Sequence, residues 1–188
     1  MVMLLIFMGK SASGKSTIEE NFEKMISFTS RDPRLSDVHG RDYYFYTRMM
    51  IETELRKFKA GEESWIKQIA EYKGHYYGTS QEEVERIQKL PLVVAVMNLE
   101  GAKDMKAIME KEGIETHIIW LEVDENIRIQ RIMGRAGDTG ETPQQINERL
   151  NEDDRNHEKE EADFIFDNNG TPEELLANIH QFLKEREA

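Results

Sequence analysis

The stretch Gly9-Lys10-Ser11-Ala12-Ser13-Gly14-Lys15-Ser16-Thr17 decides how this chain folds. It matches G-x-x-x-x-G-K-[ST], and it stands between an apolar run, Val2 to Met8, and a helical pattern from Lys15 to about Lys24. In that context the motif has a mechanism. The glycines let backbone N–H groups turn inward around phosphate oxygens, and the helix N-terminus adds partial positive charge. Lys15 then reaches the outer phosphates, and Ser16 offers a hydroxyl to Mg2+. Gly9, Ser11, Ala12, Ser13, Gly14, Lys15, Ser16 and Thr17 are therefore the candidate phosphate-binding loop, with ATP and Mg2+ as the expected ligands.

Outward from the loop, the pattern alternates strands with helices. A second strand is expected over Met25 to Ser30, and Asp32-Pro33 then breaks regularity, because proline fixes its own φ and restricts its predecessor. Tyr43 to Tyr46 reads as extended, Thr47 to Lys59 as helical, and Trp65 to Tyr77 as one or two short strands. A polar helix over Ser80 to Lys89 is capped by Thr79 or Ser80. Leu92 to Met97 is a continuous apolar run suited to a parallel strand buried on both faces. A helix (Ala102 to Glu112), a strand (Thr116 to Val123) and a helix (Glu125 to Met133) follow. Thr142-Pro143-Gln144-Gln145 and Thr171-Pro172-Glu173-Glu174 both read as helix starts, with a capping threonine and proline at the first helical position. A short strand, Phe164 to Phe166, lies between them, and the tail Glu174 to Glu187 has the apolar spacing of a helix packed on a sheet. The expected fold is α/β with a central parallel sheet.

Composition narrows the function. The chain has 188 residues, 33% charged and 38% hydrophobic, with a net charge of −12 and no cysteine. Such a surface repels a polyanion, so nucleic acid is not an expected partner and any anion site must be local. Met1 to Met8 is too short to span a bilayer, so no membrane partner is expected either. Without cysteine there is neither a disulfide framework nor thiol chemistry, which is compatible with a cytoplasmic location. The five histidines are scattered and lack metal-ligand spacing.

Arg31 and Arg34, three residues apart on a proline-stiffened loop, can converge on one phosphate with forked hydrogen bonds. Around them stand Ser27-Phe28-Thr29-Ser30-Arg31-Asp32-Pro33-Arg34, then Gly40-Arg41-Asp42-Tyr43-Tyr44-Phe45, then Tyr76-Tyr77-Gly78-Thr79. With the phosphate-binding loop, and with Arg131, Arg135 and Arg149 further on, this order of motifs resembles the guanylate kinase family over nearly the whole chain. The resemblance implies a P-loop NTPase three-layer fold with an inserted monophosphate-binding subdomain and a helical lid. It implies one domain, with a core at about 1–30, 80–130 and 160–188, a monophosphate-binding part at about 31–79 and a lid at about 131–155. It implies transfer of the γ-phosphoryl group of ATP to a nucleoside monophosphate, by a monomer or dimer. Arg31, Arg34, Tyr43 and Tyr77 match positions that hold the acceptor's phosphate, Ser27 and Thr79 match positions facing the base, and Asp37 matches an acidic residue near the reacting centre. Lys15, Arg131, Arg135 and Arg149 match the catalytic cations, the arginines belonging to a flap that closes on ATP. Gly137 and Gly140 are the expected flexible points of that flap.

The sequence also departs from the family. Gln68 and Asn98 stand where the family usually reads the guanine edge with two carboxylates, and Val96 stands where an acidic residue usually ends the central strand. An amide oxygen accepts as a carboxylate does, but an amide also donates. GMP or dGMP is thus the leading acceptor, another nucleoside monophosphate the alternative, and a non-catalytic binding module of the same fold the third reading.

Overall fold

The computed structural model describes residues 2–35, 37–139 and 156–187. Its strands are β1 (Met3–Met8), β2 (Phe28–Thr29), β3 (Tyr44–Phe45), β4 (Ile66–Tyr72), β5 (His75–Ser80), β6 (Leu92–Val96), β7 (Glu115–Glu122) and β8 (Phe164–Asp167). Its helices are α1 (Lys15–Asn21), α2 (Arg48–Ala60), α3 (Gln81–Ile87), α4 (Leu99–Lys111), α5 (Glu125–Thr139) and α6 (Pro172–Glu187), with a 3-10 turn at Asn156–Glu161. Four strands form a parallel sheet in the order β6-β1-β7-β8, and four form a mixed sheet in the order β3-β2-β5-β4. Consecutive residues of β1, β6 and β7 are buried, among them Leu4, Leu5, Ile6, Phe7, Val93, Val94, Ile119 and Trp120. Burial of neighbours in sequence means burial on both sheet faces, as the apolar runs foretold.

Two compact units can be described separately: Met1–Leu5 with Glu23–Thr116, and Ile6–Phe22 with His117–Ala188. The first contains the mixed sheet, whose core is Phe28, Ile51 and Ile66, flanked by Tyr44, Tyr46, Leu55, Trp65 and Ile69. Phe28 meets Trp65 edge to face, with ring centroids 4.9 Å apart. Gly78 lies so close to the Phe28 ring and the Gln68 carbonyl that no Cβ fits. A bulge between Ile66 and Gln68 sets Gln68 opposite Thr79 on the neighbouring strand.

Four boundaries differ from the sequence reading. The strand expected over Met25 to Ser30 shrinks to Phe28–Thr29, and α1 stops at Asn21 rather than near Lys24. The cause is pairing: Val94 N–H donates to the Glu23 carbonyl and Met25 N–H to the Val94 carbonyl, while Ile26 N–H donates to the buried Glu83 carboxylate. One short segment is thus shared between β6 and the mixed sheet. Helix α4 begins at Leu99, not Ala102, because the Asn98 side chain caps it. Helix α5 runs through Gly134 and Gly137 to Thr139, so Gly137 is helical rather than part of a link; a glycine inside a helix costs only about 1 kcal/mol. Gly140 and the helix start at Thr142-Pro143 lie outside the described residues. The second expected start is a reciprocal capping box: Glu174 N–H donates to the Thr171 hydroxyl, and Thr171 N–H to the Glu174 carboxylate.

Candidate active site

In the second unit, the loop after β1 has the backbone of a phosphate cradle. Gly9, Ala12 and Gly14 have φ of 145°, 62° and 104°. A methyl group at Gly9 would stand 2.7 Å from the Ser13 hydroxyl and 2.8 Å from the Leu121 carbonyl. At Gly14 it would overlap the Asn168 amide. The loop is therefore tight as well as strained, and glycine is required at both places. The Lys15 ammonium folds back over it, donating to the Gly9 and Lys10 carbonyls at 2.7 Å each. Ser16 is exposed in the first turn of α1, where an oxygen ligand for Mg2+ fits.

Sequence reasoning missed the group that fixes this loop from behind. Asn168, 5% exposed at the end of β8, donates from Nδ2 to the Ser13 carbonyl at 2.7 Å. Arg131, from α5, donates to the carbonyls of Asn168 (2.9 Å), Gly170 (2.8 Å) and Ala12 (3.4 Å). The guanidinium thus ties α5 to the loop and to the turn before α6. The Asn-Asn-Gly turn after a strand was the only signal for Asn168, and nothing local says which loop it touches. The Arg135 side chain and Arg149 lie outside the described residues.

In the first unit, Arg31, Tyr43 and Tyr77, three of the residues expected to hold an acceptor's phosphate, lie together. Arg31 donates to an Asp37 carboxylate oxygen at 2.7 Å and stands 5.4 Å from the centroid of the Tyr43 ring, which in turn lies 5.9 Å from that of Tyr77. The Arg34 N–H donates to the same Asp37 oxygen at 2.9 Å. The Arg34 amide first, and then the Arg31 guanidinium, hold the Asp37 carboxyl below the usual range. Asp37 is thus an internal anion that occupies the Arg31 guanidinium and the Arg34 backbone N–H. The loop is anchored further by Asp42, which accepts from Arg41 at 2.7 Å and from Val38 N–H at 2.8 Å. These bonds, Arg41 foremost, push the Asp42 carboxyl down to about 2.

The remaining residues lie along β4, β5 and their surroundings. Ser27 precedes β2, its carbonyl accepting from Tyr44 N–H at 2.9 Å. Gln68 and Thr79 are cross-strand partners, 8% and 0% exposed. Asn98 is exposed, and its Oδ1 accepts the Gly101 N–H at 2.9 Å. A methyl at Gly101 would stand 2.9 Å from that Oδ1 and 3.9 Å from Gln68 Nε2, so the two amides share a corner. Val96 ends β6, half-buried.

A strained glycine loop on the first strand of a parallel sheet, with a lysine folded into it, defines the class: a P-loop nucleotide-binding protein. The fold agrees, since a guanylate kinase crystal structure from Anaplasma phagocytophilum superimposes with a TM-score of 0.62 at 22% identity, covering 98% of this chain and 85% of that one. The guanylate kinase family model matches residues 2–186, and the chain belongs to the guanylate kinase family. Similar proteins include the guanylate kinases of Lactococcus lactis, 34% identical over 118 residues, and of Streptococcus thermophilus, 31% identical over 160 residues. That of Clostridium acetobutylicum is 32% identical over 144 residues. The alignments cover 59%, 80% and 73% of this chain, and 49%, 72% and 65% of those proteins respectively. No helix among the described residues is long and apolar enough to cross a membrane.

Proposed function

We propose that this protein transfers the γ-phosphoryl group of ATP to a nucleoside monophosphate, GMP or dGMP foremost, in the cytoplasm. The observation that carries the reading is the pair of phosphate-directed constructions, one in each unit: the cradle around Lys15 and the convergence of Arg31, Tyr43 and Tyr77 beside Arg34. A protein that only bound a phosphopeptide would need the second and have no use for the first. Family membership supports the same activity.

In this reaction an oxygen of the acceptor's phosphate attacks the γ-phosphorus, a new P–O bond forms, and the bond to the β–γ bridging oxygen breaks, leaving ADP. Little covalent work falls to the protein, so positioning and charge stabilisation dominate. Lys15 leaves the Gly9 and Lys10 carbonyls for the β/γ-phosphate oxygens. Mg2+, held by Ser16, would supply further charge neutralisation to the triphosphate. Arg31 and Arg34 hold the acceptor phosphate, with Tyr43 and Tyr77 directing their hydroxyls to it, and Asp37 yields Arg31 to the incoming dianion. Residues at about 31–79 serve as the monophosphate-binding part. Those at about 131–155 serve as the lid, bringing Arg135 and Arg149 to the transferring group and excluding water, while Arg131, already at the loop, exchanges its carbonyl partners for phosphate oxygens.

The test is a coupled assay of ATP consumption with purified protein, Mg2+ and each common ribo- and deoxyribonucleoside monophosphate, with Lys15→Ala as the blank. Turnover with GMP or dGMP, lost in Lys15→Ala, is the expected result. No turnover above the blank with any monophosphate refutes the proposal.

A further inference from the structure

The corner formed by Gln68, Thr79 and Asn98 carries more than the position of a base. Thr79 is completely buried, and its Oγ1 is the buried side-chain atom that finds no hydrogen-bond partner among the described residues. An orphaned buried hydroxyl is costly, by about 1–3 kcal/mol, and it is retained where something else completes it. Gln68 lies directly across from Thr79, so both side chains stand on one face of the β4–β5 ladder. The Gln68 amide nitrogen in turn reaches the corner at Gly101 that Asn98 Oδ1 occupies. Two neutral amides therefore share this corner, and the buried Thr79 hydroxyl lies across the ladder from one of them.

The orientation of one of them is fixed by chemistry. Asn98 caps α4, and only its oxygen can accept the Gly101 N–H. The atom left for a ligand is Nδ2, a donor. A carboxylate in this place would cap with one oxygen and present the other as an acceptor. The hydroxyl of Thr79 and the amide of Gln68 can donate as well as accept, so Asn98 is where the exchange of a carboxylate for an amide removes an acceptor. What such a corner complements is a carbonyl oxygen, whereas an exocyclic amino group, a donor itself, has no dedicated acceptor at Asn98.

We propose that this corner reads the carbonyl-bearing edge of an oxopurine and does not select for a 2-amino group, so that IMP is accepted on nearly the same terms as GMP. The inference rests on the monophosphate reading above and adds its base selectivity. GMP and IMP differ only by that amino group, which makes them the decisive pair.

The experiment is titration calorimetry of the full chain with GMP and with IMP, for wild type, Asn98→Asp and Thr79→Val. Aspartate caps a helix as well as asparagine does, so Asn98→Asp keeps α4 and exchanges the donor for an acceptor. In the wild type the two dissociation constants should lie within about tenfold of each other. Asn98→Asp should shift their ratio toward GMP by about tenfold to a hundredfold. Thr79→Val should weaken both ligands alike by about tenfold without lowering the stability of the free protein, since no bond is lost there. A wild type that prefers GMP by more than a hundredfold, a ratio unmoved by Asn98→Asp, or undiminished binding to Thr79→Val overturns the proposal. Binding of neither monophosphate overturns it together with the monophosphate reading. Binding with the expected ratios but no ADP formed leaves the corner's selectivity standing and removes only the transfer reaction.

Discussion

Replacing Gly14 by alanine tests whether the phosphate loop is held by Asn168. At φ 104° and ψ 6° an L-residue costs about 1–3 kcal/mol. The new methyl also overlaps the Asn168 amide, which must withdraw and surrender its buried bond to the Ser13 carbonyl, a further cost of about 1–3 kcal/mol. Together Gly14→Ala should lose about 2–6 kcal/mol, a large part of an ordinary domain's stability. Asn168→Ala alone loses the bond and should cost about 1–3 kcal/mol. In the double variant the overlap no longer exists and the bond can be lost only once. The two costs should therefore fall short of additivity by about 1–3 kcal/mol, leaving the backbone strain as the residue. Urea denaturation of the four proteins, read at constant slope, measures the coupling. Strict additivity refutes the reasoning, because it would mean that the methyl and the amide never compete for the same space.

Arg31→Lys keeps the charge but loses the planar fork, so KM for the monophosphate should rise about tenfold or more while KM for ATP stays put; steady-state kinetics with each substrate varied in turn decide it. Asp42 has its carboxyl pushed down to about 2 from an ordinary 3.8, so its stabilising contribution is present above pH 3.8 and is lost as pH falls through about 2. The gap in urea midpoint between wild type and Asp42→Asn should accordingly be open at pH 6 and narrow toward pH 2; a gap that widens in acid contradicts the assignment. Thr171→Ala removes one half of the capping box on α6 and should cost about 1 kcal/mol, visible as a lower thermal midpoint with ATP affinity retained.

Much of the fold was legible because its signals are local. The loop from Gly9 to Thr17 announces itself through a motif with a mechanism, and the cap at Thr171 is written in four consecutive residues. The apolar runs of β1 and β6 need no partner to be recognised as buried. What escaped depends on residues distant in sequence. Met25 to Ser30 has the composition of one strand, yet Glu83, far along the chain, takes the Ile26 N–H and divides it. That Asn98 also caps α4 is not written in its residue type; only the short passage from β6 into the helix reveals it. Asn168 was silent because a buried amide is defined by whatever it touches, and the Ser13 carbonyl is 155 residues away.

The segment from Glu23 to Thr29 answers to two masters. Its first residues are in register with Val94 and its last with Gly78 and Tyr77, leaving Ile26 and Ser27 to make the passage. A strand that slips by one residue exchanges its faces. A single insertion or deletion here would therefore either expose Phe28 or unseat Met25. The chain's length can drift at a turn such as Gly61, where an added Cβ would meet nothing, but between β6 and the mixed sheet the spacing is fixed to the residue.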